Sequence, residues 1–224
     1  LNVASKNVIT VEDPVEYKLK GINQVQVNPK AGLTFASGLR SILRQDPDTI
    51  MIGEIRDAET AEIAVRAAIT GHLVLSTLHT NDSPSTVARL IDMGLEPYLV
   101  SSAIIGIISQ RLVKVLCPKC KEKYEASDSE KRMMGIDEEN EVTLYKPVGC
   151  NACNKGYRGR AAVHEVMLVN ESIRKLINRE ANTDDIRKQA LDDGMRTLLQ
   201  SATDLALKGK TSFEEIMRAG YTLG

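Results

Sequence analysis

Leu43-Arg-Gln-Asp-Pro-Asp-Thr-Ile-Met-Ile-Gly-Glu-Ile-Arg-Asp57 is the stretch on which the fold class turns. Thr49 to Ile52 reads as a short buried strand that ends in an acid, Glu54. Asp57 is placed to cap a helix running on to Gly71, and Glu62 and Arg66 form an i,i+4 pair along it. Working outward, Asn7 to Val11 is a β-rich run, and Ile22 to Val27 alternates apolar and polar residues as a half-exposed strand does. Thr34 to Gln45 reads as a helix with Leu39, Ile42 and Leu43 on one face. Downstream, His72 to Leu78 reads as another buried strand, and a helix starts near Ser83-Pro84. Strands alternating with helices imply a mostly parallel sheet covered on both faces, with functional groups at the carboxyl ends of its strands.

Composition sets the limits. The 224 residues are 42% hydrophobic and 26% charged, which suits a buried core and excludes disorder along the whole chain. Aromatics make up 4% and Trp is absent, so aliphatic residues must fill that core. The most apolar run, Leu99 to Leu116, is broken by Ser101, Ser102, Ser109, Gln110, Arg111 and Lys114, so no membrane span is expected. Neither a secretory signal nor an initiating Met is present, and the chain opens at Leu1 as though cut from something longer. Basic and acidic residues balance at 29 to 30, with no polybasic arm, which argues against nucleic acid as a partner.

Three parts follow from this patterning: 1–116 as a partial α/β domain, 117–160 as a cysteine-bearing module, and 161–224 as a helical region. In the last part, Ile173–Asn178, Thr183–Leu191, Arg196–Leu207 and Ser212–Ala219 each carry an apolar face. Glu125 to Glu141 is so highly charged that it reads as a mobile excursion.

All four cysteines fall in two pairs, Cys117-Pro-Lys-Cys120 and Cys150-Asn-Ala-Cys153, separated by 29 residues. Two such knuckles supply four thiolates, the donor set of a closed structural Zn²⁺ site. A redox dithiol needs a single pair opening a helix after a strand, and disulfides suit a secreted chain. Residues 117–160 hold too few apolar residues for a core of their own, so the metal is expected to supply folding free energy.

Acids gather at the strand ends. Val11-Glu12-Asp13-Pro14-Val15-Glu16 sets three carboxylates after one strand, and Glu54 follows another. Such acids hold Mg²⁺ or activate water in nucleotide hydrolases, although they also favour strand exits and helix starts for electrostatic reasons alone. Many such enzymes carry Asp where Gly53 stands. His79 follows a strand at the same sheet edge, beside Thr80 and Asn81. His72 is expected to cap or pack, and His164 to be structural.

Taken in order, Ile9-Thr-Val-Glu-Asp-Pro-Val-Glu-Tyr17, Leu43 to Asp57, Gly71 to Asn81, and two CxxC pairs closing with Gly156-Tyr-Arg-Gly-Arg160 resemble the type II secretion and type IV pilus-assembly ATPases. The resemblance covers nearly the whole chain. It implies a RecA-like ATPase, working as a homohexamer on the cytoplasmic face of the inner membrane against secretion or pilus platform proteins. By that analogy Glu12 is the general base, Glu54 the Mg²⁺-linked acid and His79 the γ-phosphate sensor. Arg40, Arg44 and Arg56 are candidates for phosphate or subunit-interface contacts, with ordinary surface charge as the competing reading. The cysteine module points to an assembly motor over a retraction motor.

No GxxxxGK[ST] occurs in the 224 residues. Gly209-Lys210-Thr211 follows no strand and has Asp204 where the leading Gly belongs, so it is a decoy. The resemblance would place the phosphate loop just before this sequence, with Leu1-Asn2 as the tail of its helix. This chain is therefore expected to be inactive by itself. The competing class is a non-enzymatic, zinc-stabilised interaction module, and the sequence upstream of Leu1 discriminates the two.

Overall fold

The computed structural model describes residues 5–220. The expected helix tail at Leu1-Asn2 lies outside them. In chain order the elements are β1 (Val8–Glu12), β2 (Asn23–Gln26), a 3₁₀ turn (Pro29–Ala31), α1 (Phe35–Ile42), β3 (Thr49–Ile52), α2 (Ala58–Ile69), β4 (Leu73–Ser76), α3 (Ser83–Asp92), α4 (Pro97–Ala103) and β5 (Gly106–Leu116). They continue as β6 (Glu122–Glu125), α5 (Asp128–Met134), β7 (Thr143–Lys146), β8 (Tyr157–Leu168), α6 (Glu171–Asn178), α7 (Thr183–Asp192), α8 (Leu198–Leu207) and α9 (Phe213–Gly220). Among the described residues, no helix is long and apolar enough to cross a membrane.

The chain divides into two compact units. The first gathers residues up to Thr80 with Pro84–Ile107 and Leu168–Ala190. Its sheet has the order β2-β1-β3-β4, and every neighbouring pair is parallel. The expected α/β architecture is therefore present. Val11, Ile50 and Ile52 are fully buried at its centre, as suits strands covered on both faces. Thr34 caps α1 through a reciprocal bond with Ser37, and Asp57 caps α2 by accepting from the Thr60 N–H at 2.8 Å. Arg66 pairs with Glu62 at 2.8 Å, as the spacing requires.

Position in the sheet explains one difference from the sequence reading. His72 to Leu78 is not a buried strand. Only Leu73–Ser76 pairs, and it forms the sheet edge among the described residues, leaving Leu75 and Ser76 exposed. His72 instead turns its Nδ1 to the Ala67 carbonyl at 3.0 Å, beside the Thr70 hydroxyl, so it serves the end of α2.

The second unit gathers Asn81–Ser83, Ile108–Met167 and the residues from Leu191 onward. Its core joins Val113, Ala126, Met134, Val142, Leu144 and Val163 to Leu198, Ala202, Ala206, Ile216 and Ala219. The three-part division by composition does not coincide with the two units. The apolar surface that residues 117–160 lack is supplied by α8 and α9, so the cysteine segment packs as part of a larger body. Strands β5 to β8 have no counterpart in the sequence reading; β5 lies in the run screened for a membrane span, and β8 delays the helical part to Glu171. His164 lies exposed on β8, and its main-chain N–H donates to the Ser201 hydroxyl at 3.3 Å.

Glu125 to Glu141 is ordered, not a mobile excursion. Ser127 and Glu130 form a reciprocal cap that opens α5, and Met134 at its end is buried in the core. Burial pushes the Glu130 carboxyl up, but the Tyr124 hydroxyl and the Ser127 amide and hydroxyl outweigh it and hold the group below its ordinary value. The Gly-Lys-Thr decoy forms the turn between α8 and α9. The Lys210 carbonyl accepts from the Leu116 N–H at 2.9 Å, and the Thr211 hydroxyl donates to the Lys114 carbonyl at 2.8 Å.

Candidate functional site

The parallel register brings the acids to one edge. β1 and β3 end side by side, with Val11 opposite Ile52, so Glu12 and Gly53-Glu54 leave the sheet at the same level. The Gly53 N–H donates to the Val11 carbonyl at 2.8 Å, and the Thr77 hydroxyl donates to the Gly53 carbonyl at 2.6 Å. The exit of β3 is thus tied to the chain on both sides before Glu54 begins.

Glu54 is the centre of one cluster. Arg56 donates to its Oε1 at 2.6 Å, and His79 Nε2 stands 3.3 Å from its Oε2. The Glu54 side chain is 14% exposed and that of His79 88%, so a fixed acid meets a ring that is free to move. The Arg56 guanidinium holds the Glu54 carboxyl below its usual range against the opposing effect of burial, and His79 adds a smaller pull in the same direction. Arg56 in turn is raised by Glu54 and, more weakly, by Asp13 at the end of β1.

Glu12 belongs to a second group. The Thr10 hydroxyl and the Gln24 amide both donate to its Oε1, at 2.5 and 2.9 Å. Neither partner was singled out from the sequence. The signal lay in Asn23-Gln-Val-Gln26: in a parallel neighbour of β1, its alternate polar positions fall beside Thr10 and Glu12.

The other arginines lie apart from these acids. Arg40 on α1 pairs with Glu59 on α2 at 2.6 Å, with both side chains more than half exposed. Arg44 is exposed beyond the end of α1.

The four cysteines converge. Their sulfurs all lie within 4.8 Å of one another, with Cys117–Cys150 at 4.0 Å and Cys120–Cys153 and Cys150–Cys153 at 3.7 Å. These separations are far beyond a disulfide bond of about 2.05 Å. Gly156 shapes the second knuckle. Its φ is +86°, and a β-carbon there would meet the Pro147 Cβ at 2.4 Å, so only glycine fits. Burial and the neighbouring thiols push Cys120 up to about 12. For Cys153, burial is outweighed by the Cys150 and Gly156 N–H groups, which draw it down to about 7. The arrangement suits a soft cation that takes four sulfurs.

The sequence matches the family described as type II/IV secretion system protein over residues 1–218. The chain belongs to that family. It is 50% identical over 223 residues to the type II secretion system ATPase E of Vibrio cholerae serotype O1, covering 97% of this chain and 43% of that protein. Its identity to the type IV pilus assembly ATPase PilB of Thermus thermophilus is 49% over 215 residues, 95% of this chain and 24% of that one. The chain therefore spans less than half the length of these relatives. Among solved structures, the pilus retraction motor PilT with bound ADP superposes with a TM-score of 0.70 at 31% identity, covering 98% of this family member and 54% of PilT. The Legionella pneumophila ATPase DotB shares the fold, with a TM-score of 0.66 at 23% identity over 97% of this chain and 52% of that one.

Proposed function

We propose that this chain is the catalytic C-terminal part of a cytoplasmic ATPase that powers type II secretion or type IV pilus assembly. The observation that carries the reading is the exit of Glu12 and Glu54 at one level from adjacent parallel strands, with His79 against Glu54. In open α/β sheets this edge is where ligands and chemistry gather. ATP and Mg²⁺ fit the donor set, because a hard cation takes carboxylate and water oxygens.

In this reading Glu12 accepts a proton from the attacking water through Oε2, the oxygen without a protein partner among the described residues. Glu54 supplies the charge facing Mg²⁺, which would polarise the phosphates. Both Glu54 oxygens are engaged, one by Arg56 and one by His79. His79 hydrogen-bonds Glu54 and is exposed enough to swing toward a terminal phosphate. Arg56 keeps Glu54 ionised and leaves a cation at the rim, where a phosphate or a neighbouring subunit would meet it.

The cysteine cluster would hold one structural Zn²⁺. Thiolates about 2.3 Å from a tetrahedral zinc stand about 3.8 Å apart, close to the sulfur separations here. Four sulfur ligands leave no open position, which makes the site structural. A homohexamer, peripheral on the inner face of the cell membrane and bound to its platform proteins, completes the proposal.

The test is ATP turnover by the intact motor. Glu12→Gln and Glu54→Gln should each lower kcat by about a hundredfold or more while ATP affinity stays close to wild type. Undiminished hydrolysis in either variant would overturn the role given to that residue.

A further inference from the structure

Gln24 lies half-buried on β2, opposite Thr10 in the parallel register and one pleat back from Glu12. Its side chain makes three hydrogen bonds. Nε2 donates to Glu12 Oε1 at 2.9 Å and to the Tyr17 carbonyl at 3.0 Å, while Oε1 accepts from the Leu19 N–H at 2.7 Å. These partners decide which way the amide points. Reversed, it would aim an oxygen at a carboxylate and a carbonyl, and an NH₂ group at an N–H.

The consequence falls on Glu12. A carboxylate turns readily about its terminal torsion, so its two oxygens are ordinarily interchangeable. Here Thr10 and Gln24 both donate to Oε1, and Oε2 has no protein partner among the described residues. Thr10 is buried within β1, and Gln24 is held in turn by two main-chain groups of the loop between β1 and β2. Neither donor is free to follow a rotating carboxylate.

We infer that Gln24 is a positioning residue for Glu12: with Thr10 it holds Oε1, so that Oε2 alone is presented to water, and it ties residues 17–19 to the acid. This rests on the reading of Glu12 as the base. The loop that Gln24 clasps is otherwise open. Tyr17 is 80% exposed and Leu19 is also exposed, so Gln24 makes the position of an outer loop and the aim of an inner carboxylate one structural unit.

Two substitutions in the intact protein separate the parts. Gln24→Met keeps the size and removes the donors. Gln24→Glu keeps an acceptor for Leu19 but sets a second carboxylate against Glu12. Turnover should fall about tenfold in Gln24→Met, the worth of one hydrogen bond to a charged group, with KM for ATP within about twofold. Gln24→Glu should fall at least as far, and neither should lower turnover further in a Glu12→Gln background. Without nucleotide, hydrogen exchange at the Leu19 amide should quicken in Gln24→Met and stay unchanged in Gln24→Glu. Wild-type turnover in Gln24→Glu, or an equal fall with and without Glu12→Gln, would overturn the role of Gln24 and leave Glu12 standing. Unchanged Leu19 exchange in Gln24→Met would remove the tie to the loop. Full turnover in Glu12→Gln alone would overturn the base assignment, and the role of Gln24 with it.

Discussion

Gly53 meets Glu12 backbone to backbone: a β-carbon at position 53 would stand 3.3 Å from the Glu12 Cα and 3.3 Å from the Val11 carbonyl oxygen. Both neighbours are main chain, so neither can swing aside. The contact leaves little room for a side chain at position 53, and the carboxylate follows one residue later at Glu54.

Enlarging residue 53 should therefore part the ends of β1 and β3. Gly53→Ala should lower the thermal midpoint of unfolding, and Gly53→Asp should lower it further, because it adds a charge beside buried strand ends. Calorimetric melting of the two variants is the check. A Gly53→Ala chain that melts with the wild type would show that the strands yield without cost.

The Arg56–Glu54 pair predicts a pH dependence with a definite sign. The folded-state value of Glu54 lies below its ordinary 4.5. Its contribution to stability is then present above that value and lost as the pH falls through the lowered one. Arg56→Gln removes the largest cause of the lowering. Carbon-detected NMR titration should find Glu54 titrating higher in the variant. The stability difference from wild type should exist at neutral pH and close under acid. Screening by water at the exposed guanidinium keeps that difference small. Identical Glu54 titrations in the two proteins would remove Arg56 from the account.

Metal and core are expected to support the same body. Elemental analysis should find about one zinc per chain, and Cys117→Ser should lose it. The cysteine segment shares its core with α8 and α9, so that loss should speed hydrogen exchange in both helices as well as in residues 117–160. The β1–β4 sheet should be spared. Ile216→Ala, which empties a fully buried place in that core, should cost about 2–5 kcal/mol while zinc is retained. Metal-free protein with protected α8 and α9 amides would sever the link.

This chain alone should neither hydrolyse ATP nor bind it tightly. Its 224 residues contain no GxxxxGK[ST] and so lack the cradle of N–H groups, the lysine and the hydroxyl that hold phosphates and Mg²⁺. Glu12 and Glu54 would repel a polyanion without them. Titration calorimetry with Mg-ATP and a phosphate-release assay decide the matter. Micromolar affinity or steady turnover would overturn the expectation.

Much of the first unit was legible, because its strands and helices alternate with clear periods and its caps fall at Thr34 and Asp57. Glu12, Glu54 and His79 could be placed at strand ends, since local pattern alone locates an exit. Gln24 could not, because its role depends on which strand lies beside β1. The second unit was harder to read. β5 and β8 pair across about forty residues of intervening chain, and their outer faces mix apolar with charged residues, so neither period stands out. The charge of Glu125 to Glu141 concealed a helix whose buried residues are Lys131 and, in the core, Met134.

The interleaving of the two units bears on how the protein is made. Once Cys153 has been added, every thiol of the cluster has been synthesised, but α8 and α9, which floor the same core, begin about 45 and 60 residues further on. The first unit is also incomplete at that moment, because α6 and most of α7 belong to it. If the cluster takes zinc, all four thiolates would thus be in the chain before the helices that complete either hydrophobic interior. A stop codon after residue 190 would cost the chain its second interior while leaving every metal ligand in place.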